Sequence, residues 1–178
     1  MNRKKEFKYF TIFNHEDEEK YLSEMHRKGW KLVKVTGFGM YHFEKCEPED
    51  VVYQLDYNKE GMENKDEYIL MFKDCGWEYI INYVGYSYFR KPASEMNSDE
   101  KIFSDDNSRL AMMKRVYKGR LIPLLIIFCA TLVPQFIFTA IIDNNFILGT
   151  TYLAILTVYI FIFIKAGLKY SDYKKKKK

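Results

Sequence analysis

Cys75-Gly76-Trp77 repeats Lys28-Gly29-Trp30 at a spacing of 47 residues. Each Gly-Trp pair follows an amphipathic stretch and precedes a run of aromatic and β-branched residues. Glycine supplies the left-handed residue that ends a helix sharply, and the tryptophan after it has a ring large enough to fill the space between that helix and a sheet. Read outward from these junctions, residues 1–91 resolve into two strand-helix-strand-strand units.

In the first unit, Phe7–Phe13 is aromatic and β-branched and predicts a strand. Asn14 then caps a helix, Asp17 completes a capping-box-like pair, and Glu16–Glu19 set negative charge at the positive end of the helix dipole. Leu22 and Met25 form the apolar face. Trp30–Thr36 returns as a strand, and Gly37-Phe38-Gly39 turns it into Met40–Lys45. In the second unit Val51–Tyr57 alternates with period two, Asn64 and Glu67 repeat the cap, and Tyr68, Ile69, Phe72 and Cys75 repeat the helix face. Glu78–Tyr83 and Tyr86–Arg90 close a second hairpin around Gly85. Neither unit alone buries a core. Paired about a pseudo-twofold, they predict an α+β domain: a mainly antiparallel sheet with two helices on one face.

Beyond this domain the character changes. Residues 92–108 are polar and acidic and read as a linker, and 109–120 as a basic juxtamembrane helix, with Gly119 and Pro123 marking a break. Leu121–Ile142 holds 22 residues and Phe146–Ile164 holds 19 without a charge, split by the turn Asp143–Asn145. At about 1.5 Å per residue each spans a hydrocarbon core of roughly 30 Å, so the pair predicts a transmembrane hairpin. Residues 165–178 form a basic tail.

Charge divides along the same line. Met1–Ser108 carries 16 Lys and Arg against 22 Asp and Glu, whereas Arg109–Lys178 carries 12 against 2. An acidic domain is a poor match for phosphate backbones, which argues against direct nucleic-acid binding. Lys114, Arg115, Lys118 and Arg120 precede the first span, Lys165 and Lys169 follow the second, and the loop between has no Lys or Arg. The positive-inside rule then puts both termini in the cytoplasm, with these six residues at the lipid surface. Met1–Glu6 is basic but has no apolar region behind it, so no signal peptide is expected. Cys46, Cys75 and Cys129 are odd in number and widely spaced, which fits a reducing compartment and neither a disulfide framework nor a zinc site.

No reaction is named by any motif. His15, His26 and His42 are too far apart for a local metal site, Gly37-Phe38-Gly39 lacks the third glycine of a dinucleotide fingerprint, and no nucleophile elbow or phosphate loop occurs. No catalytic residue, cofactor or metal is therefore expected. The aromatic excess is the functional hint. Trp77, Tyr79 and Tyr83 share one side of their strand and Tyr86 and Tyr88 one side of the next. These five rings either wall a pocket for a small apolar or cationic ligand or pack under the helices. In the first span, Pro134 frees a carbonyl, and Gln135 is placed to bond across to Thr150, Thr151 or Thr157, or the helices simply pack.

Gly39-Met40-Tyr41-His42-Phe43-Glu44-Lys45, with Glu47–Tyr57, resembles the hallmark of a bacterial family known as domain of unknown function 2812. Phe72–Tyr79 and Tyr88-Phe89-Arg90-Lys91-Pro92 resemble its second hallmark. The resemblance implies paired spans after the domain and a gene often beside a PadR-type repressor, and it assigns no activity. The duplicated units are also similar in architecture to small-molecule-binding modules of the GyrI-like type. Together these imply a non-enzymatic sensor or interaction domain in a bacterial cell membrane, binding a small ligand, a partner protein such as a regulator, or both. The alternatives are an accessory subunit of a transporter-like complex and a membrane-surface enzyme.

Overall fold

A computed structural model of the chain describes residues 2–11, 14–37, 39–96, 106–139 and 145–175. It divides into two compact units, Met1–Met112 and Met113–Lys178.

The first unit is α+β and duplicated. Its elements are β1 (Arg3–Phe7), α1 (His15–Arg27), β2 (Trp30–Thr36), β3 (Met40–Lys45), β4 (Val51–Tyr57), a short α2 (Lys59–Glu63), α3 (Lys65–Asp74), β5 (Glu78–Tyr83) and β6 (Tyr86–Pro92). The strands form two antiparallel three-stranded sheets, β1-β3-β2 and β4-β6-β5, so each repeat keeps its own sheet in the same first-third-second order. The equivalence extends to irregularities. A bulge falls between Leu32 and Lys34 in β2 and between Tyr79 and Ile81 in β5, 47 residues on. Gly29 and Gly76 hold φ of +80° and +79°.

The two tryptophans diverge. Trp77 is buried with Tyr68, Phe72 and Phe89 beneath α3, as its junction predicts. Trp30 is only half-buried, with the Lys4 ammonium 5.5 Å from its ring. The caps differ too, because neither the Asn14 nor the Asn64 side chain accepts a helical N–H. Asn58 does so instead, taking the Gly61 N–H at 3.0 Å.

β1 also lies earlier than the strand expected over Phe7–Phe13. Arg3 pairs with Glu44 and Phe7 with Met40, and β3 begins at Met40 directly after a turn, so antiparallel pairing has no partner for residues much beyond Phe7. The Lys8 N–H still reaches the Gly39 carbonyl at 2.9 Å. Phe10 then leaves the sheet to pack on Tyr21 and Tyr41.

Helix α1 ties the repeats together, packing on both β2 and β4. β4 is an edge strand, and two of its backbone N–H groups are taken by α1 side chains: Leu55 by Glu19 Oε1 at 2.8 Å and Tyr53 by Ser23 Oγ at 3.3 Å. Residues four apart on a helix advance about 6 Å and residues two apart on a strand about 6.8 Å, so the spacings match. The Tyr53 hydroxyl accepts from the Leu32 N–H and shares a 2.8 Å hydrogen bond with His26 Nδ1, joining β4, β2 and α1.

Among the described residues the second unit is helical, its first helix beginning in the first unit. α4 (Asp106–Val116), α5 (Ile122–Ile127) and α6 (Val133–Ile137) are joined through π-helical turns at Tyr117–Leu121 and Phe128–Leu132, and right-handed helical geometry is kept at every junction. The π-turns contain Gly119 and Ala130, whose carbonyls lie four residues before Pro123 and Pro134. A proline ring clashes with that carbonyl and offers it no N–H, and widening the turn accommodates both faults. The expected break at Gly119 and Pro123 is thus a π-turn within a continuous helix. α7 (Phe146–Lys175) returns beside it, with Tyr117 against Tyr170 and Phe128 against Tyr159 and Phe163.

The most apolar 18-residue windows of Leu110–Ile137 and Phe146–Leu168 have mean hydropathies of 2.0 and 2.2, and only 6% and 11% of those windows are buried. Helices so apolar yet so exposed are unlike the core of a soluble protein and point to membrane association. Asp143 and Asn144 of the expected turn, and residues 97–105 of the expected linker, lie outside the described residues.

Adding a Cβ at Gly29 would bring it 2.9 Å from the Cys46 carbonyl, whereas at Gly76 it meets the flexible end of Lys91 at 3.1 Å. Gly76→Ala is expected to cost roughly 1–2 kcal/mol, the strain of a left-handed alanine. Gly29→Ala is expected to cost more, because backbone must move. Thermal unfolding of the detergent-solubilised chain checks the order.

Candidate functional site

The site grows from α1 and the two hairpins facing it. Glu18 lies one turn into α1, on the face that carries Leu22 and Met25 inward, and its side chain is buried with it. Tyr41 on β3 and Tyr88 on β6 both donate to the same oxygen, Glu18 Oε1, at 2.5 Å. These tyrosines are 47 residues apart and so occupy the same place in the two repeats. One carboxylate oxygen thus binds the equivalent strands of both sheets.

Beside it is a cavity of about 210 Å3. Lys8–Thr11 from the segment after β1, His15 and Glu18 from α1, Gly39 and Tyr41 from β3, and Tyr83, Val84, Tyr86 and Tyr88 from the β5–β6 hairpin line it. His15 stacks on Tyr86 with ring centroids 6.2 Å apart, and Tyr86 meets Tyr57 edge-on. The Tyr83 hydroxyl donates to the Gly37 carbonyl, joining the two hairpins. The Lys8 ammonium sits 5.0 Å over the Tyr21 ring.

Burial pushes the Glu18 carboxyl above its ordinary pKa, and the two tyrosine hydrogen bonds oppose that rise. Burial, and then the Glu18 charge, push the Tyr41 and Tyr88 phenols upward. The protons therefore stay on the tyrosines, and Glu18 is the acceptor. A desolvated carboxylate among aromatic faces is a counter-ion for a cation whose surface is apolar, because ring faces and carboxylate both favour positive charge.

Of the five aromatic residues expected to form a site, Tyr83, Tyr86 and Tyr88 meet in this cavity. Trp77 and Tyr79 do not. The bulge at Ile80 reverses the alternation between Tyr79 and Ile81, sending Trp77 and Tyr79 to the Phe89 cluster under α3. Glu18, His15 and Tyr41 were not anticipated. Glu16–Glu19 explained itself as helix-dipole charge, although the 47-residue offset from Tyr88 leads directly to Tyr41.

The chain matches a family described as Protein of unknown function (DUF2812) over residues 14–125. It belongs to that family. The family region takes in Glu18 and all the cavity tyrosines except Tyr9, and it extends into the first apolar helix. No curated protein and no solved structure matches the chain. Among the described residues, no three His, Cys, Asp or Glu gather closely enough to hold a metal ion.

α6, which carries the expected seam residues Pro134 and Gln135, packs on α7. Thr150 and Thr151 donate to the Ile147 carbonyl and Thr157 to the Leu153 carbonyl, so each hydroxyl proton closes on its own helix. Aromatic contacts of Phe128 with Tyr159 and Phe163 also join the two helices. Lys114, Lys118 and Lys165 are exposed, and Arg115 and Arg120 are half-buried; the Lys169 side chain lies outside the described set.

Val84 has φ of +50° where the first repeat has Gly37 at +59°. A β-branched residue in that region is strained by about 1–3 kcal/mol, and such strain gathers at binding sites. Val84→Asn, which tolerates this conformation, is expected to raise the unfolding midpoint. Glu18 makes a second prediction. Its folded pKa exceeds its unfolded one, so its contribution is most favourable below the unfolded pKa and stability falls as pH rises through the window between them. Glu18→Gln is expected to abolish that fall, read from unfolding midpoints across mildly acidic to neutral pH.

Proposed function

We propose that this chain is a non-enzymatic, membrane-anchored sensor whose Glu18 cavity takes a small apolar or cationic molecule. The observation that carries the reading is the buried Glu18 carboxylate, held by Tyr41 and Tyr88 beside an aromatic-walled cavity. The cavity lies where the two repeats meet, so a molecule that replaces or strengthens a tyrosine bond to Glu18 changes how the two sheets are held together. That coupling is what a sensor needs: a ligand with different affinity for two arrangements of one domain.

In this reading the helices of the second unit are a transmembrane hairpin with both termini in the cytoplasm, set by the basic residues flanking it. A regulator protein receives the signal, in keeping with the repressor genes that the family resemblance implies. Catalysis has one observation in its favour: His15 and Glu18, three residues apart on α1, both line the cavity. Against it, Glu18 Oε1 already accepts two hydrogen bonds at 2.5 Å, which suits a fixed counter-ion better than a proton carrier.

Phenyltrimethylammonium and its neutral isostere tert-butylbenzene separate the possibilities. Titrated into the detergent-solubilised full chain, the cation is expected to change tyrosine fluorescence saturably. Its affinity should rise with pH as Glu18 ionises, and Glu18→Gln should remove both binding and pH dependence. Equal binding of both compounds, retained in Glu18→Gln, would make the cavity purely apolar. Silence across a broad panel of apolar and cationic compounds sinks the ligand reading, and chemical conversion of a bound compound replaces the sensor with an enzyme.

A further inference from the structure

The outer face of the β1-β3-β2 sheet, away from α1, has a composition opposite to that of the domain bearing it. Inward on these strands point Leu32, Val35, Tyr41 and Phe43, all buried. The register sets the outward residues in rows across the three strands: Arg3, Glu44 and Lys31 in one, Lys5, His42 and Lys34 in the next. The bulge at Val33 is what brings Lys34 onto this face, beside His42. Four cationic side chains and a histidine thus face one carboxylate, although Met1–Ser108 as a whole has six more acidic than basic residues.

The rows border a groove of about 290 Å3. Burial, and then Lys34 and Lys5, hold the His42 imidazole below its ordinary pKa, as a locally positive potential would. Apolar groups flank the cations: Phe7 is 66% exposed at the end of β1, and Val33 is 40% exposed at the bulge. Cationic rows edged by exposed aromatic and aliphatic side chains match a surface that is negative outside and apolar just beneath.

We propose that this sheet face docks on the anionic headgroups of the bilayer. Lys5, Lys31 and Lys34 pair with lipid phosphates, and Phe7 and Val33 enter the interfacial layer. Charge complementarity favours a membrane over other polyanions, because the same chain carries two helices apolar enough to cross one, which keeps headgroups at high effective concentration. The face is separate from the Glu18 cavity, which opens between α1 and the hairpins, so the two sites can be occupied together.

Lysine acetylation of the full chain tests this in nanodiscs of phosphatidylcholine alone or mixed with phosphatidylglycerol, read by mass spectrometry. In anionic discs Lys5 and Lys34 are expected to react several-fold more slowly than in neutral discs, and high salt should restore their rates. Lys20 on α1 and Lys28 just after it, both exposed, serve as internal references. Lys5→Glu together with Phe7→Ser should restore the Lys34 rate in anionic discs while leaving phenyltrimethylammonium binding intact, which also shows that the variant is folded. Equal rates in the two lipids overturn the proposal. So does uniform slowing of all lysines, the mark of a diffuse surface potential, or protection already present in neutral discs, the mark of contact between protein copies.

Discussion

Glu18 Oε1 is where the domain is held together. Two three-stranded sheets that share no ladder hydrogen bonds among the described residues need a reason to stay in one arrangement, and one oxygen accepting from a tyrosine of each sheet helps supply it. Burying a carboxylate is unfavourable unless its lone pairs are met, and here both donors come from outside its own helix. The rest of α1 acts in the same direction: Glu19 and Ser23 close the edge of β4, and His26 meets Tyr53. A helix of the first repeat is thereby fastened to a strand of the second, and the cavity is the space left beside the fastening.

Much of this fold was legible in the residues. The Gly-Trp junctions announced a duplication, and the structure extends it to the strand order, the bulges and the positive-φ glycines. The capping asparagines and the start of β1 were less legible, since a strand's limits depend on where its partner begins, and Met40 follows a turn. The site was half legible. Period-two reading set Tyr83, Tyr86 and Tyr88 on one side, as the cavity lining has them, while Trp77 and Tyr79 lie with Phe89 because a single extra residue at Ile80 inverts the side chains before it. Glu18 could not be told from its acidic neighbours, because helix-dipole complementarity accounts for all of them equally well.

In the helical unit, composition alone recovered two long apolar segments, but not how the prolines are absorbed. A π-turn leaves no mark in hydropathy. It shows only when the carbonyl four residues before each proline is followed, and Gly119 and Ala130 are small enough to let the turn widen around it. The same accounting explains the threonines, whose hydroxyls each find a carbonyl of their own helix.

The equivalence of Tyr41 and Tyr88 bears on how such a domain arises. Two identical chains meeting about a twofold axis would each bring a Glu18, and two buried carboxylates at one point repel. Joined in one polypeptide, the halves are free to diverge, and the residue 47 positions after Glu18 is Lys65, whose ammonium lies 5.6 Å from the Tyr79 ring. Fusion of the repeats allows a single acid on a symmetric scaffold, so the two tyrosines could be inherited in duplicate while the charge between them was kept in one copy.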